Sequence, residues 1–514
     1  MLLTQPQGHL ADALDTYAEA VAHWGREAPD RIAIEHEGGS TTYGALSAAM
    51  QTLADRLAAL GLRHRDRIFI VGENTLGTVL LVLAANRVGA AASVVNARMA
   101  TSEIRVLRDF AEPRLTAFAT RASAKAGEHA AALGAGDQIG DGPFEGIRIC
   151  PADPDSPPEP ASADRRAETA LIMFTSGTTG LPKGVMLSNA TMLEQAKAQC
   201  VARLLTPADT LYAVSPLSHN IGLVGNVLAS FAAGCRTILP VRHDPAYLAR
   251  KLAAGEITVI VGVPQLYAGL IEHAAANGIG FDAARLRVGG SGGAPLDPAL
   301  KARVKAVLGV TLSNGYGATE FVPVSRTPLD MLDRDLASNV VGVLSEGVDL
   351  RIVGEDGQDM PEGESGEIWV RGPFMMQGYF RNPEATAEVM RPGGWLATGD
   401  MGEYRDGLLS IVGRKKEIII RSGFNVYPTD VEAALSAHPD VSMAAVLGRA
   451  VPGNEEIVAF VTPLPGHSID PAALKDFTRR DLTPYKVPTE IVVLDEMPIG
   501  PTGKILKTAL KSRL

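Results

Sequence analysis

A loop rich in glycine and hydroxyl side chains lies between two apolar runs. Residues 174–184 read FTSGTTGLPKG, with apolar residues at 171–174 before them and at 185–187 after them. Glycines let backbone N–H groups approach an oxyanion, hydroxyls donate further hydrogen bonds, and Lys183 adds a positive charge. The pattern is typical of a phosphate-binding loop, although a polar linker can have the same composition. It is not a Walker loop, because Pro182 stands where that motif needs its second glycine.

Four further stretches carry side chains suited to binding a nucleotide. NGYGATE (314–320) groups an aromatic ring, a hydroxyl and the Glu320 carboxylate, and TGD (398–400) ends in Asp400, suited to gripping two ribose hydroxyls. GRKKE (413–417) supplies Arg414, and PIGPTGK (498–504) ends in Lys504. Singly, each has an ordinary structural explanation as a turn, a helix cap or a solvated lysine.

In this order, the motifs resemble those of the adenylate-forming superfamily of acyl-CoA synthetases, luciferases and non-ribosomal adenylation domains. The resemblance runs from about residue 30 to the end of the chain. It implies an acyl-CoA synthetase that uses ATP, Mg²⁺ and CoA. Such an enzyme forms an acyl-adenylate and releases pyrophosphate, then forms a thioester and releases AMP. Its partners would be a small carboxylic acid and CoA.

The resemblance also implies catalytic roles for individual residues. Lys504 would serve the first half-reaction, Thr319 would contact the α-phosphate, and Glu320 would hold Mg²⁺. His219, in PLSHNIG, would lie between the acyl and CoA sites, and Lys416 would be the hinge between domains. Glu417 departs from the family pattern, which often has Asp there. Acetylation would remove the charge of Lys504, which makes it a candidate regulatory site.

A larger set is implied to bind ATP or CoA. The loop at 175–183 would close over the β- and γ-phosphates, Tyr316 would stack on adenine beside Gly293, and Asp400 and Arg414 would hold the ribose. The edge of the pantetheine tunnel would be formed at 422–423. The full set is Thr175, Ser176, Gly177, Thr178, Thr179, Gly180, Lys183, Gly293, Asn314, Gly315, Tyr316, Thr319, Asp400, Arg414, Ser422, Gly423 and Lys504.

Other activities remain alternatives at this point. GGSGG (289–293) matches the nucleophile motif of α/β-hydrolases, with Ser291 as nucleophile and His438 or His467 as base, although Pro295 and Pro298 disfavour the helix that must follow. Within the superfamily, a luciferase, a carrier-protein ligase, a stand-alone acyl-AMP ligase or a non-catalytic member would share the same motifs. Every charged motif residue is present, which disfavours a non-catalytic member. The span from Arg414 to Lys504 has no inserted block that would obstruct domain rotation, which disfavours an acyl-AMP ligase, so we expect the CoA ligase.

The acid itself is predicted from the segments that resemble pocket walls. None of the segments 216–223, 262–267, 289–294, 314–318 and 321–324 contains Arg or Lys. A second substrate carboxylate would therefore be buried without a partner, at high cost. Glycines at 289–293 leave room for a ring. We expect a neutral aromatic, alicyclic or medium-chain acid, with a malonyl or other short-chain acyl-CoA synthetase as the alternative.

Composition and patterning indicate what positions these residues. The 514 residues carry a net charge of −10, which argues against nucleic acid, and the three cysteines are dispersed. We expect a cytoplasmic protein without a signal peptide or membrane span. Alternating helix and strand patterns predict an α/β fold: a large N-terminal domain (1–413) of helix-covered sheets plus a small β-unit near 340–372, and a smaller mobile α+β C-terminal domain (414–514).

Overall fold

The computed structural model describes residues 9–175, 183–281, 285–294, 296–334, 336–337, 339–422, 424–452, 454–464, 466–500 and 505–514. The α-helices of this part of the chain are α1 (Ala18–Glu27), α2 (Tyr43–Ala59), α3 (Leu76–Val88), α4 (Thr101–Ala111), α5 (Ala124–Ala132), α6 (Asn189–Arg203), α7 (Asn220–Gly222), α8 (Ala229–Ala233), α9 (Pro245–Ala253), α10 (Pro264–Asn277), α11 (Pro298–Leu308), α12 (Pro383–Val389), α13 (Pro428–Ser436), α14 (Pro471–Thr478) and α15 (Lys507–Lys511).

The strands are β1 (Ile32–His36), β2 (Gly39–Thr42), β3 (Arg67–Gly72), β4 (Ala91–Asn96), β5 (Leu115–Ala119), β6 (Asp137–Gln138), β7 (Ile147–Ile149), β8 (Thr169–Thr175), β9 (Lys183–Ser188), β10 (Thr210–Tyr212), β11 (Arg236–Ile238), β12 (Val259–Gly262), β13 (Val288–Gly292), β14 (Leu312–Ala318), β15 (Phe321–Arg326), β16 (Val340–Leu344), β17 (Asp349–Val353), β18 (Gly366–Arg371), β19 (Gly378–Tyr379), β20 (Met390–Arg391), β21 (Trp395–Arg405), β22 (Leu408–Arg414), β23 (Ile419–Arg421), β24 (Phe424–Val426), β25 (Val441–Val451), β26 (Asn454–Pro463) and β27 (Glu490–Val493).

An eight-stranded sheet carries the two ends of the predicted phosphate loop. Its strand order is β19-β9-β8-β4-β3-β5-β7-β6. The central strands β3 and β4 are parallel and buried along their whole length, as expected of strands covered on both faces. Strands β8 and β9 pair antiparallel, with Thr175 opposite Lys183, so the two ends of the predicted loop face each other. The sequence predicts strands at 67–71 and 91–95 and a helix at 79–88, and these predictions are confirmed by β3, β4 and α3.

A second sheet of fourteen strands positions most of the remaining motif residues. Strands β11, β10, β12, β13 and β14 run parallel in that order, and the sheet then continues through antiparallel strands β15, β16, β22, β21, β18 and β17. The strand-rich segment near 340–372 forms this antiparallel end together with β21 and β22. The parallel strands are covered by α9, α10 and α11, whose apolar residues share one buried cluster with them.

The last hundred residues build separate small layers. Strands β23 and β24 form a hairpin, and β25, β26 and β27 form a three-stranded sheet. Helices α13 and α14 pack on that sheet through a buried cluster of their own, which includes Val431, Leu435 and Leu474. Strand β22 ends at Arg414 and a short 3₁₀ turn, Lys415–Glu417, leads to β23. This turn is where we place the hinge between the two proposed domains.

The helices of the described residues are too short or too polar to cross a lipid bilayer.

Candidate active site

Tyr316, Asp400 and Arg414 meet at the antiparallel end of the large sheet. The Tyr316 hydroxyl donates a hydrogen bond of 2.7 Å to Asp400 Oδ2, and Arg414 Nε lies 3.1 Å from Asp400 Oδ1. Asp400 and Arg414 face each other because they are register partners in β21 and β22. The backbone N–H of Asp400 donates to the Thr398 hydroxyl at 3.1 Å, a local contact within β21. Residues far apart in sequence therefore converge on one carboxylate.

The electrostatics of this trio are set by burial. Asp400 is only 7% exposed, and burial raises the pKa of its carboxyl, although Arg414 and the Tyr316 hydroxyl act in the opposite direction. Burial and the neighbouring Asp400 raise the pKa of Tyr316 well above its usual value, so its hydroxyl is a donor throughout the physiological range. A buried carboxylate of this kind gains from further hydrogen-bond donors. Two ribose hydroxyls would supply them.

A second cluster joins Glu320 to the end of the predicted phosphate loop. The Tyr379 hydroxyl donates a hydrogen bond of 2.8 Å to Glu320 Oε1, and Lys183 Nζ lies 4.5 Å from the centre of the Tyr379 ring. Tyr379 is placed here by β19, which pairs with β9 so that Tyr379 lies opposite Val185. Burial and Glu320 raise the pKa of Tyr379 far above its usual range. Thr175 starts the loop on the other strand, and its hydroxyl lies 3.4 Å from the Lys183 carbonyl.

The ends of β13 and β14 lie side by side between these clusters. Their register pairs Ser291 with Asn314 and Gly292 with Gly315. Gly293 follows β13 with φ of +79°, a left-handed conformation that favours glycine. The Asn314 amide lies 3.5 Å from the Val340 carbonyl, and Thr319 lies in the turn between β14 and β15. The predicted adenine and α-phosphate residues thus share one edge of the sheet.

The lack of a side chain at Gly292 leaves a small space at the same edge. Among the described residues, a Cβ atom built on Gly292 would meet the Gly315 carbonyl oxygen and Ile221 Cδ1, both at 3.8 Å, which is ordinary contact. Gly290 differs, since a Cβ there would lie 3.0 Å from Val261 Cγ2. Ile221 lies in α7, and His219 is the residue that immediately precedes this helix. This small space lies at the end of β13, beside the helix that follows His219.

The Ser291 hydrolase alternative does not fit this geometry. Ser291 lies within β13, not at a turn from a strand into a helix, and α11 begins only at Pro298. Its hydroxyl is buried and has no hydrogen-bond partner among the described residues. His438 and His467 both contact Asp440, at 3.9 Å and 2.6 Å, in the C-terminal layers. The structure therefore shows no contact between the candidate nucleophile Ser291 and either candidate base, since both histidines contact Asp440 instead.

The hinge turn is held from both sides by ion pairs. Lys415 Nζ lies 3.0 Å from Glu367 Oε2 of β18, and Glu417 Oε2 lies 2.7 Å from Lys507 Nζ of α15. Lys507 also reaches Glu432 at 3.0 Å. Burial opposes the charge of Lys507, but the two glutamates outweigh it and raise the Lys507 pKa. Lys416, between these two contacts, is exposed to solvent.

Residues 21–380 match the family described as AMP-binding enzyme, and residues 430–504 match its C-terminal domain. The chain belongs to the AMP-binding enzyme family. This membership agrees with the adenylate-forming superfamily, in its acyl-CoA synthetase branch, that the motifs resemble.

Two curated relatives align with this AMP-binding enzyme over nearly its whole length. Feruloyl-CoA synthase from Amycolatopsis sp is 33% identical over 493 residues, which cover 95% of this chain and 97% of that protein. Sulfoacetate–CoA ligase from Cupriavidus necator is 31% identical over 512 residues, covering 97% and 98% respectively. Both names describe ligases that form CoA thioesters.

Solved structures show the same fold. ATP-bound MatB from Rhodopseudomonas palustris superposes with a TM-score of 0.83 at 28% identity, covering 96% of this chain and 98% of that one. The TM-score against apo MatB is 0.75. O-succinylbenzoate coenzyme A synthetase (MenE) from Bacillus subtilis, in complex with ATP and magnesium ion, gives a TM-score of 0.80 at 26% identity, covering 96% and 99%.

Several predicted site residues of this AMP-binding enzyme lie outside the residues that the structure describes. They are Ser176, Gly177, Thr178, Thr179, Gly180, Gly423 and Lys504. Ser422 is described, and its backbone N–H donates to Asn454 Oδ1 at 2.7 Å. The roles assigned to all of these residues stay predictions.

Sequence reasoning missed Tyr379, which joins Lys183 to Glu320. Its signal is faint: Tyr379 follows a glycine in MQGYFRNP, a stretch that reads as an ordinary turn. The contact depends on the pairing of β19 with β9, strands almost two hundred residues apart. Sequence reasoning likewise assigned no role to Thr398 of TGD, although its hydroxyl accepts a hydrogen bond from the Asp400 backbone N–H.

The donor set fits a magnesium ion that arrives with its nucleotide. Within the described ranges, no group of three or more His, Cys, Asp or Glu side chains is placed to hold a metal. Mg²⁺ is commonly bound by one or two carboxylates together with substrate phosphates. Glu320, near the loop ends with one oxygen engaged by Tyr379, has the chemistry of such a ligand.

Proposed function

We propose that this enzyme ligates a neutral aromatic, alicyclic or medium-chain carboxylic acid to CoA. In the first step a carboxylate oxygen of the acid attacks the α-phosphorus of ATP, and the bond to the bridging oxygen breaks, so pyrophosphate leaves. In the second step the CoA sulfur attacks the acyl carbon of the adenylate, the thiol proton is lost, and AMP leaves. The curated relatives, which are CoA ligases, support this reaction.

The residues contribute positioning and charge, not covalent chemistry. We propose that Asp400 and Arg414 hold the ribose, that Tyr316 and Gly293 flank the adenine, and that Lys183 and Lys504 bring positive charge to the phosphates. The first step brings two anions together, so such preorganised charges lower its barrier. Magnesium, when bound by Glu320 and the phosphates, would neutralise part of the same charge.

The space at Gly292 is the observation that carries the acid class. The nearest atoms to a Cβ at Gly292 are at 3.8 Å, and one of them belongs to the apolar Ile221 beside His219. An acid whose carboxylate lies near His219 would direct its ring or chain into this space. The absence of Arg and Lys from the wall segments supports an uncharged group there. The name of the feruloyl-CoA synthase relative agrees with an aromatic acid.

A short acid with a second anionic group is the alternative substrate. The sulfoacetate–CoA ligase relative favours it, because that protein's name specifies an acid with a sulfonate. Such an acid would need a cationic partner inside the pocket. The wall segments supply none, which is why we place the neutral acid first.

The test is a panel of acids with ATP, Mg²⁺ and CoA, in which AMP and thioester are measured. We expect cinnamate, cyclohexanecarboxylate or octanoate to give a higher kcat/KM than acetate, malonate or sulfoacetate. A highest kcat/KM for malonate or sulfoacetate would overturn the acid class, and AMP without thioester for every acid would overturn the ligase.

A pocket variant sharpens the same test. Gly292→Val would fill the free space, so kcat/KM for ring acids should fall by about tenfold or more while that for acetate is retained. Gly127→Val is the control, because a Cβ on this α5 glycine meets nothing within 4 Å. Equal losses for ring acids and acetate in Gly292→Val would argue against a pocket at this position.

A further inference from the structure

The helix beside the proposed acyl pocket contains a π-helical turn. The chain passes from α7 through the π-helical segment Leu223–Leu228 into α8. A π-turn inserts one extra residue, so side chains before it are rotated by about 100° relative to those after it. Helix α8 is anchored, since Ala229, Ala232 and Ala233 lie in a buried cluster with Cys200. The π-turn therefore decides which side chain of α7 faces Gly292.

Arg203, the last residue of α6, contacts this π-turn. Its Nη1 donates to the Gly225 carbonyl at 2.5 Å and lies 3.5 Å from Asn226 Oδ1, and its Nη2 donates to Gln199 Oε1 at 2.7 Å. All of these acceptors are neutral, and no carboxylate of the described residues forms an ion pair with Arg203. Burial lowers the Arg203 pKa to about 10, so the side chain keeps its charge at neutral pH.

Asn226 ties the same turn to the large sheet. Its amide donates to the Val261 carbonyl of β12 at 3.2 Å, and the residue is only 1% exposed. Val261 is also the side chain that packs against Gly290. The π-turn is thus bound to α6 through Arg203 and to β12 through Asn226.

The cost of this arrangement points to a specific role. Burying a guanidinium without a carboxylate is unfavourable, and apolar side chains would serve equally well if only packing between α6 and α8 were needed. A guanidinium carries five N–H donors, which suit carbonyl groups turned away from the regular helical pattern. Here the acceptor is the Gly225 carbonyl, which lies within the π-helical segment.

We propose that Arg203 is a positioning residue for acyl specificity, which holds the π-turn and thereby keeps Ile221 facing the space at Gly292. This inference rests on the proposed function and names a residue that determines which acids the pocket takes. Without the guanidinium, the helix can return to regular α-helical geometry. Ile221 would then move around the helix axis and the pocket would change shape.

The test compares acid selectivity in Arg203→Met and the wild type. We expect the ratio of kcat/KM for cinnamate to that for acetate to change by about tenfold or more, the scale at which apolar pockets discriminate a methylene. The KM for the acid should change while the KM for ATP stays at the wild-type value. Arg203→Lys, which keeps the charge and a donor for the Gly225 carbonyl, should restore part of the wild-type ratio.

Arg287→Met is the matched control. Arg287 donates to the Arg203 and Leu204 carbonyls at the same end of α6 and pairs with Asp209 at 2.6 Å, but none of its hydrogen bonds reaches the π-turn. We expect this variant to lower the melting temperature without changing the acid ratio. If Arg287→Met also changed the ratio of kcat/KM for cinnamate to that for acetate, the effect would reflect general destabilisation of α6. That result would overturn the proposal.

Asn226→Leu covers the case in which Arg203→Met does not fold. It removes the tether to β12 while leaving the Arg203 bond to Gly225, so it should also change the acid ratio. A wild-type ratio in Arg203→Met, or in Asn226→Leu where Arg203→Met does not fold, contradicts the proposal. A wild-type enzyme that forms no thioester with any acid instead contradicts the proposed function, so the two failures are distinguishable.

Discussion

At the residue scale, Asp400 combines a stability cost with a binding role. Burial raises its pKa, so the folded chain holds the proton more tightly than the unfolded chain does. The folded state therefore loses stability as the pH rises from about 4, the usual Asp value, through the folded pKa, and the loss is complete above it. The ionised carboxylate is retained at this cost because, in our proposal, it binds ribose.

Asp400→Asn should separate these two properties. We expect its melting temperature to exceed that of the wild type at pH 7, and the difference to shrink as the pH falls toward 4.5. The KM for ATP should rise by about tenfold or more, since a charged hydrogen bond contributes about 1.5–3 kcal/mol. Thermal melts across this pH range and initial rates at varied ATP measure both. A lower melting temperature at pH 7 would contradict the stability argument.

Tyr379 is the residue that connects the loop lysine to the proposed magnesium ligand. Tyr379→Phe removes the hydroxyl that donates to Glu320 and keeps the ring beneath Lys183. We expect the Mg²⁺ concentration for half-maximal pyrophosphate release to change several-fold, because Glu320 loses the bond that orients it. Tyr247→Phe is the control: it also loses a hydroxyl bonded to a glutamate, Glu35, at 2.9 Å. An equal effect in both variants would remove Tyr379 from the site.

At the element scale, the 3₁₀ turn Lys415–Glu417 contacts both parts of the chain. Lys415 pairs with Glu367 on the large sheet, and Glu417 pairs with Lys507 on the C-terminal helix. Glu417 is the position at which the resemblance leads us to expect a departure from the family pattern. Here it meets Lys507 at 2.7 Å, so the departure accompanies a direct contact with α15. Lys416 lies between these two residues and takes part in neither ion pair. We therefore expect a domain rotation to change the backbone at Lys416.

Lys416→Pro should therefore restrict the hinge. Proline fixes φ near −65°, so it would favour one domain arrangement, which we expect to be the adenylating one. Pyrophosphate release with ATP and acid should be retained, whereas thioester formation should fall by orders of magnitude. Lys416→Ala, which keeps the backbone freedom, should lose far less. Stopped-flow measurement of each half-reaction decides the matter, and equal thioester rates in the two variants would refute the two-arrangement interpretation.

At the scale of the whole molecule, our proposal has two half-reactions with opposite needs share one site. The overall arrangement is more similar to ATP-bound MatB than to apo MatB, with TM-scores of 0.83 and 0.75. The C-terminal layers have buried clusters of their own, so they can move as a body without exposing a core. This organisation is what a rotation between adenylation and thioester formation requires.

Lys504→Ala tests that division of labour. If Lys504 serves only the first step, ATP-dependent acyl-AMP formation should be lost while thioester formation from supplied acyl-AMP is retained. Lys511→Ala, an exposed lysine at the end of α15, is the control and should affect neither step. Acetylation of Lys504 should reproduce the alanine variant, because it removes the same charge. Equal damage to both steps would contradict the assignment.

The sequence by itself determined the family, the reaction class and the central strands. Motif order along the chain carries the first two, and continuous apolar runs such as those of β3 and β4 predict buried parallel strands because local hydrophobicity decides burial there. A threonine directly before a helical apolar pattern is typical of an N-cap, and Thr42 is one, since its hydroxyl accepts from the Ala45 N–H as a local hydrogen bond.

Only the tertiary structure decided which of these residues touch. The bond from Tyr316 to Asp400 and that from Tyr379 to Glu320 join residues 84 and 59 positions apart, through strand pairings that local patterns do not encode. From the sequence, GGSGG is compatible with both a hydrolase motif and a pocket wall. The structure disfavours the hydrolase, because Ser291 lies inside β13. The burial of Arg203 could not be predicted from the sequence, because most arginines are solvated and only the tertiary packing shows that this one is not.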